Sequence, residues 1–227
     1  MAVLDQLSGG RVILGVGRGF APELFEAYRL PRSAKRELFA ECLSGMRAAW
    51  RGDPLDSGGT RLAPPPVQKP HPPIWVAAFG PKALAQAGAL GLPYLASPLE
   101  PLDALADNYA RHREACTGAG HALPDAVPVL RTIFVSEDPA RLGAVREMLA
   151  RRMAEMHARG GIVRAHARPV DEWAIVGTPR EVRDSIARYR ERLGMTHLIA
   201  TRLHLPEMDA AACEDSLGAL AELARSP

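Results

Sequence analysis

No stretch of this 227-residue sequence approaches the roughly 18 uninterrupted apolar residues of a membrane-spanning helix. No charged-then-apolar leader with a small-residue cleavage site opens it. Charge of one sign is equally scarce: 28 Lys and Arg face 26 Asp and Glu, a formal +2 that gives no case for nucleic acid. Cysteine is limited to Cys42, Cys116 and Cys213, an odd number and far apart. They read as buried thiols in a reducing cytoplasm rather than as disulfides or a metal site. His112, His121, His157 and His166 have no metal-ligand spacing, and no G-x-S-x-G nucleophile elbow occurs. These absences set the expectation of a cytoplasmic protein with no membrane or nucleic-acid partner and no metal.

Hydrophobic residues make up 47%, ample for a core. The first informative stretch is "GRVILGVGRGF", Gly10 to Phe20. It is not a dinucleotide fingerprint, because the sixth position holds Phe20 where the third glycine belongs, and no Gly-Lys-Ser/Thr follows for a Walker loop. What remains is a buried strand over Val12–Gly17 whose glycines allow close backbone approach. Arg18 then falls at the C-terminal end of the strand, where α/β proteins build their sites. A tight turn with a solvated arginine is the alternative.

Further strands are predicted at Ile74–Ala78, Tyr94–Ser97, Val129–Val135 and His197–Thr201, all parallel. The helices between them begin near Ser33, with Leu38, Cys42, Leu43 and Met46 as its apolar face, and then at Pro81. Next come one marked by Leu102, Leu105, Ala106 and Tyr109, and one opened by the Asp138-Pro139 N-cap and ended by Gly160-Gly161. The segment from there to Glu172 reads as a surface loop. Thr178-Pro179-Arg180-Glu181 is a capping box opening a helix that closes at Gly194, and a last helix runs from Asp209 to Arg225. The Pro/Gly-rich stretch before Ile74 reads as an ordered excursion carrying Leu62 and Val67. Strand-helix alternation implies a parallel sheet covered by helices in a single α/β domain over residues 1–227. Periodicity leaves a doubly wound sheet and a barrel both open.

Taken together, "LDQLSGGRVILGVGRGF", "RELFAECLSGMRAAW", "PPIWVAAFGPKALAQAGALGLP", "VGTPREVRDSI" and "GMTHLIATRL" resemble, in order, the luciferase-like flavin-dependent monooxygenase family. The resemblance implies a TIM-type (β/α) barrel, incomplete here with strands four to eight, hence a member shortened at the N-terminus. It implies reduced FMN as cofactor (a deazaflavin in other branches) and O₂ activation toward a small organic substrate. A flavin reductase would supply the reduced flavin, and a homodimer would be one way to cover the open sheet edges.

By the same resemblance, Arg18 matches the arginine that contacts the flavin phosphate. The turn holding Gly80, Lys82 and Ala83 matches a second phosphate-binding element, its amides facing an anion at a helix N-terminus. Side-chain hydroxyls used there in the family are missing, and Lys82 is either a replacement point charge or an ordinary exposed first-turn lysine. Gly17 occupies the position of a reactive cysteine, and the family's catalytic histidine has no counterpart here, so no catalytic residue is assigned. A non-catalytic flavin-binding protein, or an inactive fragment of a longer monooxygenase, is the alternative. His204, with Arg202, follows the last strand and is a candidate pocket residue.

Overall fold

The computed structural model describes residues 1–19, 21–158, 168–202, 205 and 208–225. They form two compact units, Met1–Ala78 and Phe79–Pro227.

The first unit contains α1 (Ala2–Ser8), β1 (Leu14–Gly17), α2 (Pro22–Ala27), a 3-10 turn at Arg32–Ala34, α3 (Lys35–Arg51) and β2 (Ile74–Ala77). β1 and β2 run parallel, in register from Leu14↔Ile74 to Gly17↔Ala77. Gly9, in the left-handed region at φ 63°, stops α1. The fully buried Asp5 then fixes α1 to the chain entering β2. Its carboxylate accepts from the Gln68 amide at 2.9 Å and from Gln68 Nε2 at 2.7 Å, and the same Nε2 donates to the Val12 carbonyl at 2.7 Å. Burial alone would raise the Asp5 pKa, but the Gln68 donors outweigh it and hold the carboxyl below its ordinary value.

The Pro/Gly-rich excursion is therefore ordered, though not by Val67, which is exposed. Its anchors are Gln68 and the tilted contact of His71 on Trp50, 5.9 Å between centroids. The predicted apolar face of α3 is displaced. Phe39, Leu43 and Trp50 are buried, Leu38 and Met46 half-buried, and Cys42 exposed. The two aromatic rings fill more of the core than a thiol can, and they set the helix rotation. Burial of all three thiols therefore fails at Cys42, while Cys116 and Cys213 are buried.

The second unit runs α4 (Pro81–Ala89), β3 (Tyr94–Leu95), α5 (Leu102–Gly118), β4 (Pro128–Val135) and α6 (Pro139–Ala158). It continues with α7 (Val170–Trp173), β5 (Ala174–Gly177), α8 (Pro179–Leu193), β6 (His197–Thr201) and α9 (Ala210–Arg225). β4 is central. It pairs in parallel with β6 over Pro128–Thr132 and with β5 over Thr132–Val135, and a parallel bridge from Ala96 to Val129 ties in the chain after β3. The core gathers Phe134, Leu142, Val145, Leu149, Met153, Trp173 and Val176.

Five of the six strands are those predicted: β1, β2 and β3 are shorter, β4 starts one residue earlier and β6 has the predicted bounds. β1, expected to be buried, alternates between half-buried and exposed residues. The α7 turn falls on the end of the segment read as loop up to Glu172, and the sixth strand, β5, follows it where no strand was predicted. Trp173, fully buried, is what draws this segment inward. The predicted stop at Gly160-Gly161 lies outside the described residues. Both predicted caps are present. The Asp138 carboxylate accepts from the Ala140 amide at 2.9 Å, and Thr178 and Glu181 exchange the two bonds of a capping box. At Gly88, a Cβ would meet the Ala115 Cβ at 2.5 Å, so glycine is what lets α4 and α5 touch.

Candidate functional site

In the first unit, β1 delivers Arg18 at its C-terminal end. The side chain is half-buried, and α3 brings the exposed Arg36 to it from its first turn. Burial first, and the Arg36 charge second, draw the Arg18 pKa below its ordinary value. Cationic groups within electrostatic reach of one another at a strand end are of the chemistry that suits an anion. Arg36 was not singled out in the sequence, where it reads as an ordinary surface residue of an amphipathic helix.

Gly15, Gly17 and Ala77 are exposed on the strand pair leading to Arg18. A Cβ at Gly17 would meet only the Ala77 Cβ and carbonyl oxygen at 3.7 Å, ordinary contact. Packing within the unit therefore does not require glycine there. Its effect is to leave the strand without a side chain next to the arginine.

In the second unit, the turn before α4 holds Gly80 at φ 80° and ψ 166°, a conformation nearly confined to glycine. Lys82 is exposed on the first helical turn and Ala83 is buried. The Ala83 amide does not face outward as expected: it donates to the Gly80 carbonyl at 3.1 Å. Of the three amides named from the sequence, those of Gly80 and Lys82 are what the turn can offer a ligand.

The remaining candidates are structural or undescribed. His204 lies outside the described residues, and Arg202 is exposed after β6. His112 is buried with Nε2 2.8 Å from the Leu92 carbonyl, and burial lowers its pKa. Among the described residues, no group of three or more His, Cys, Asp or Glu could hold a metal, and no helix is long and apolar enough to cross a membrane.

One polar cluster escaped sequence reasoning. Arg131, fully buried in mid-β4, donates from Nη1 to the Ser97 carbonyl at 2.6 Å and from Nη2 to the Glu100 carbonyl at 2.7 Å. The Glu100 carboxylate accepts from Asn108 Nδ2 at 2.9 Å and from the Tyr94 hydroxyl at 3.3 Å. Burial raises the Glu100 pKa despite these donors and the Arg131 charge. The cluster fastens the β3–α5 connection to β4.

Comparison with known proteins places this geometry in a family. A flavin-dependent trigonelline monooxygenase, oxygenase component, from Acinetobacter baylyi is 31% identical over 157 residues, 63% of this chain and 43% of that protein. The chain spans less than half the length of such curated relatives. The crystal structure of monooxygenase RslO1 from Streptomyces bottropensis matches 97% of this chain and 70% of its own, with a TM-score of 0.76 and 25% identity. The oxygenating constituent of 3,6-diketocamphane monooxygenase from Pseudomonas putida, in complex with FMN, matches 96% and 71% with a TM-score of 0.76 and 22% identity. The α/β fold is therefore the TIM-type barrel of these proteins, present here in incomplete form. The family model for luciferase-like monooxygenases matches residues 1–197, and the chain belongs to that family.

Proposed function

We propose that this chain serves a flavin-dependent monooxygenase that uses reduced FMN and O₂ to oxygenate a small organic substrate. The observation that supports this most is the half-buried Arg18 directly after β1, within electrostatic reach of Arg36. A phosphate monoester carries a charge of about −1.5 to −2 at neutral pH, which suits two guanidinium groups. A deazaflavin whose phosphate is a diester offers one charge, so the pair favours FMN. In the second unit, considered by itself, Gly80 and Lys82 are proposed as an anion-binding turn, through backbone amides and one ammonium.

Bound reduced flavin supplies the electrons; one oxygen atom goes to the substrate and the other leaves as water. What this chain's own residues do is bind and orient. The arginines fix the phosphate, and the bare backbone at Gly17 lets a flat ligand approach the strand pair. A flavin reductase is the proposed source of reduced flavin.

A second reading, flavin binding without turnover, is favoured by one observation: Gly17 offers no side chain where the resembled family carries a reactive cysteine. The experiment separating the two supplies reduced FMN, ¹⁸O₂ and a panel of small ketones and aldehydes to the protein. Labelled oxygen in an organic product supports the monooxygenase. Peroxide alone, with FMN bound, supports the binding protein.

A further inference from the structure

The connection from β3 to α5, residues 97–101, is held more firmly than its length demands. Pro98 and Pro101 stiffen it. Arg131 grips two of its carbonyls, that of Ser97 at 2.6 Å and that of Glu100 at 2.7 Å. Ser97 Oγ accepts from the Leu99 amide at 3.3 Å, and Leu99 packs half-buried on the apolar cluster that includes Phe134, Leu149 and Trp173. The connection follows the C-terminal end of β3, the end at which barrel strands carry their sites.

A further hold on the connection changes with a proton. The Arg131 guanidinium keeps its charge throughout the working pH range. The Glu100 carboxyl does not, and it is what ties the connection to its neighbours on β3 and α5. It accepts from Asn108 Nδ2 at 2.9 Å and from the Tyr94 hydroxyl at 3.3 Å. The groups that face it are Tyr94 from β3, Asn108 from α5 and Arg131 from β4. Tyr109 of α5 stacks on Tyr94, 4.8 Å between centroids, and the Tyr189 ring of α8 lies under the Arg131 guanidinium at 5.1 Å. Burial raises the Tyr94 and Tyr109 pKa values above the ordinary one, so neither brings a charge. Asp103 and Asp107 of α5 are exposed, and Asp103 pairs with Arg192 at 2.6 Å. Among the described residues, Arg131 is therefore the one cation acting on Glu100, and its Nη atoms are committed to carbonyls. Glu100 itself is half-buried, so its charge is costly where it sits while water is close by.

We infer that Glu100 is a proton-operated latch: its neutral carboxyl keeps residues 97–101 docked with Leu99 on the apolar cluster, and ionisation turns it toward water and loosens the connection. The step is the loss of one proton to solvent. A neutral carboxyl still accepts from Asn108 through its carbonyl oxygen and shares a hydrogen bond with Tyr94 through its hydroxyl. The sign comes from burial, which raises the Glu100 pKa over the opposing donors and the Arg131 charge. Docking is complete below the unfolded pKa and weakens as pH rises through the folded one. Arg131 holds the Ser97 and Glu100 carbonyls in both states, so the release is local to the connection and leaves β4 in place. Access to the C-terminal end of β3 then follows pH.

The test is amide hydrogen exchange in the full chain between about pH 5 and about pH 8, each rate divided by the intrinsic rate at that pH. The latch predicts that protection of the Ser97, Leu99 and Glu100 amides falls by about tenfold or more across that range, while the amides of β4 keep theirs. In Glu100→Gln, whose side chain stays neutral, protection of the connection should stay level with pH. Should Glu100→Gln fail to fold, Tyr94→Phe reads the same device. It removes a donor that favours the ionised carboxyl, so the fall in protection should move to higher pH. Protection that does not change with pH in the natural protein, that changes equally in Glu100→Gln, or whose midpoint is unmoved in Tyr94→Phe overturns the latch. A parallel loss of protection in β4 overturns it too, because the change is then global unfolding.

Discussion

Arg131 Nε donates to the Tyr189 hydroxyl at 2.8 Å, joining the middle of β4 to the last turns of α8. With its other nitrogens on the carbonyls of Ser97, Leu130 and Glu100, this guanidinium is fully buried and engaged on every side. Replacing it with an apolar residue leaves three partly buried carbonyls and the buried Tyr189 hydroxyl without this donor, and Glu100 without its cation. Arg131→Met should therefore cost about 3–5 kcal/mol of stability, whereas Tyr189→Phe, which removes one hydroxyl, should cost about 1 kcal/mol. Urea denaturation of both variants checks the contrast; equal losses would mean the carbonyl contacts contribute nothing.

Glu100 sets a pH dependence of known sign. Burial raises its folded-state pKa above the unfolded value. Its contribution to stability is then fully present below the unfolded pKa and is lost as pH rises through the folded one. Glu100→Gln keeps an oxygen for Asn108 and a hydrogen-bonding group for Tyr94 without the charge. The variant's melting temperature should gain on that of the natural protein as pH rises from about 4 to about 7. A gap that narrows over that range would reverse the assignment.

At Gly88 the prediction is steric. A methyl group would stand 2.5 Å from the Ala115 Cβ and 2.9 Å from both the Cys116 amide nitrogen and the His112 carbonyl oxygen. Two of these three neighbours are backbone, so α4 and α5 must separate. Gly88→Ala should cost on the order of 1–3 kcal/mol, although alanine favours helix more than glycine does. Thermal unfolding decides it, and a stabilised variant would show that the two helices are not packed this closely.

Much of this architecture was legible because its signals are local. The Thr178–Glu181 capping box spans four residues and appears as read, and the runs through Ile74–Ala77 and Pro128–Val135 are too apolar to lie outside a core. What escaped depends on distant partners. β5 is four residues with no turn marker before it, and only pairing with β4 makes it a strand. Arg131 reads as a charge that should leave the sheet, because its acceptors at Ser97 and Glu100 are 34 and 31 residues away. Arg36 gains meaning only when α3 returns it to Arg18. At the candidate site, sequence supplied the residue types, while the conformation of Gly80 and the inward turn of the Ala83 amide required coordinates.

Two substitutions at the α4 turn separate strain from ligand binding. Gly80→Ala forces a side chain into its φ 80°, ψ 166° conformation, although nothing lies within 4 Å of the new Cβ. It should destabilise by about 1–3 kcal/mol through backbone strain. Lys82→Ala, at an exposed position, should leave stability within about 0.5 kcal/mol and weaken FMN binding severalfold. Unchanged FMN affinity in Lys82→Ala would remove the lysine from the proposed phosphate site.

The central claim, that the arginine following β1 holds a flavin phosphate, is tested most directly by FMN affinity. Titration of the protein and of Arg18→Ala with FMN, and with riboflavin as the ligand lacking phosphate, isolates the contact. A charge-assisted hydrogen bond predicts that Arg18→Ala loses about 1.5–3 kcal/mol of FMN binding, roughly 10- to 150-fold, while riboflavin binding stays the same. FMN affinity unchanged by Arg18→Ala, or an equal loss for riboflavin, would contradict it.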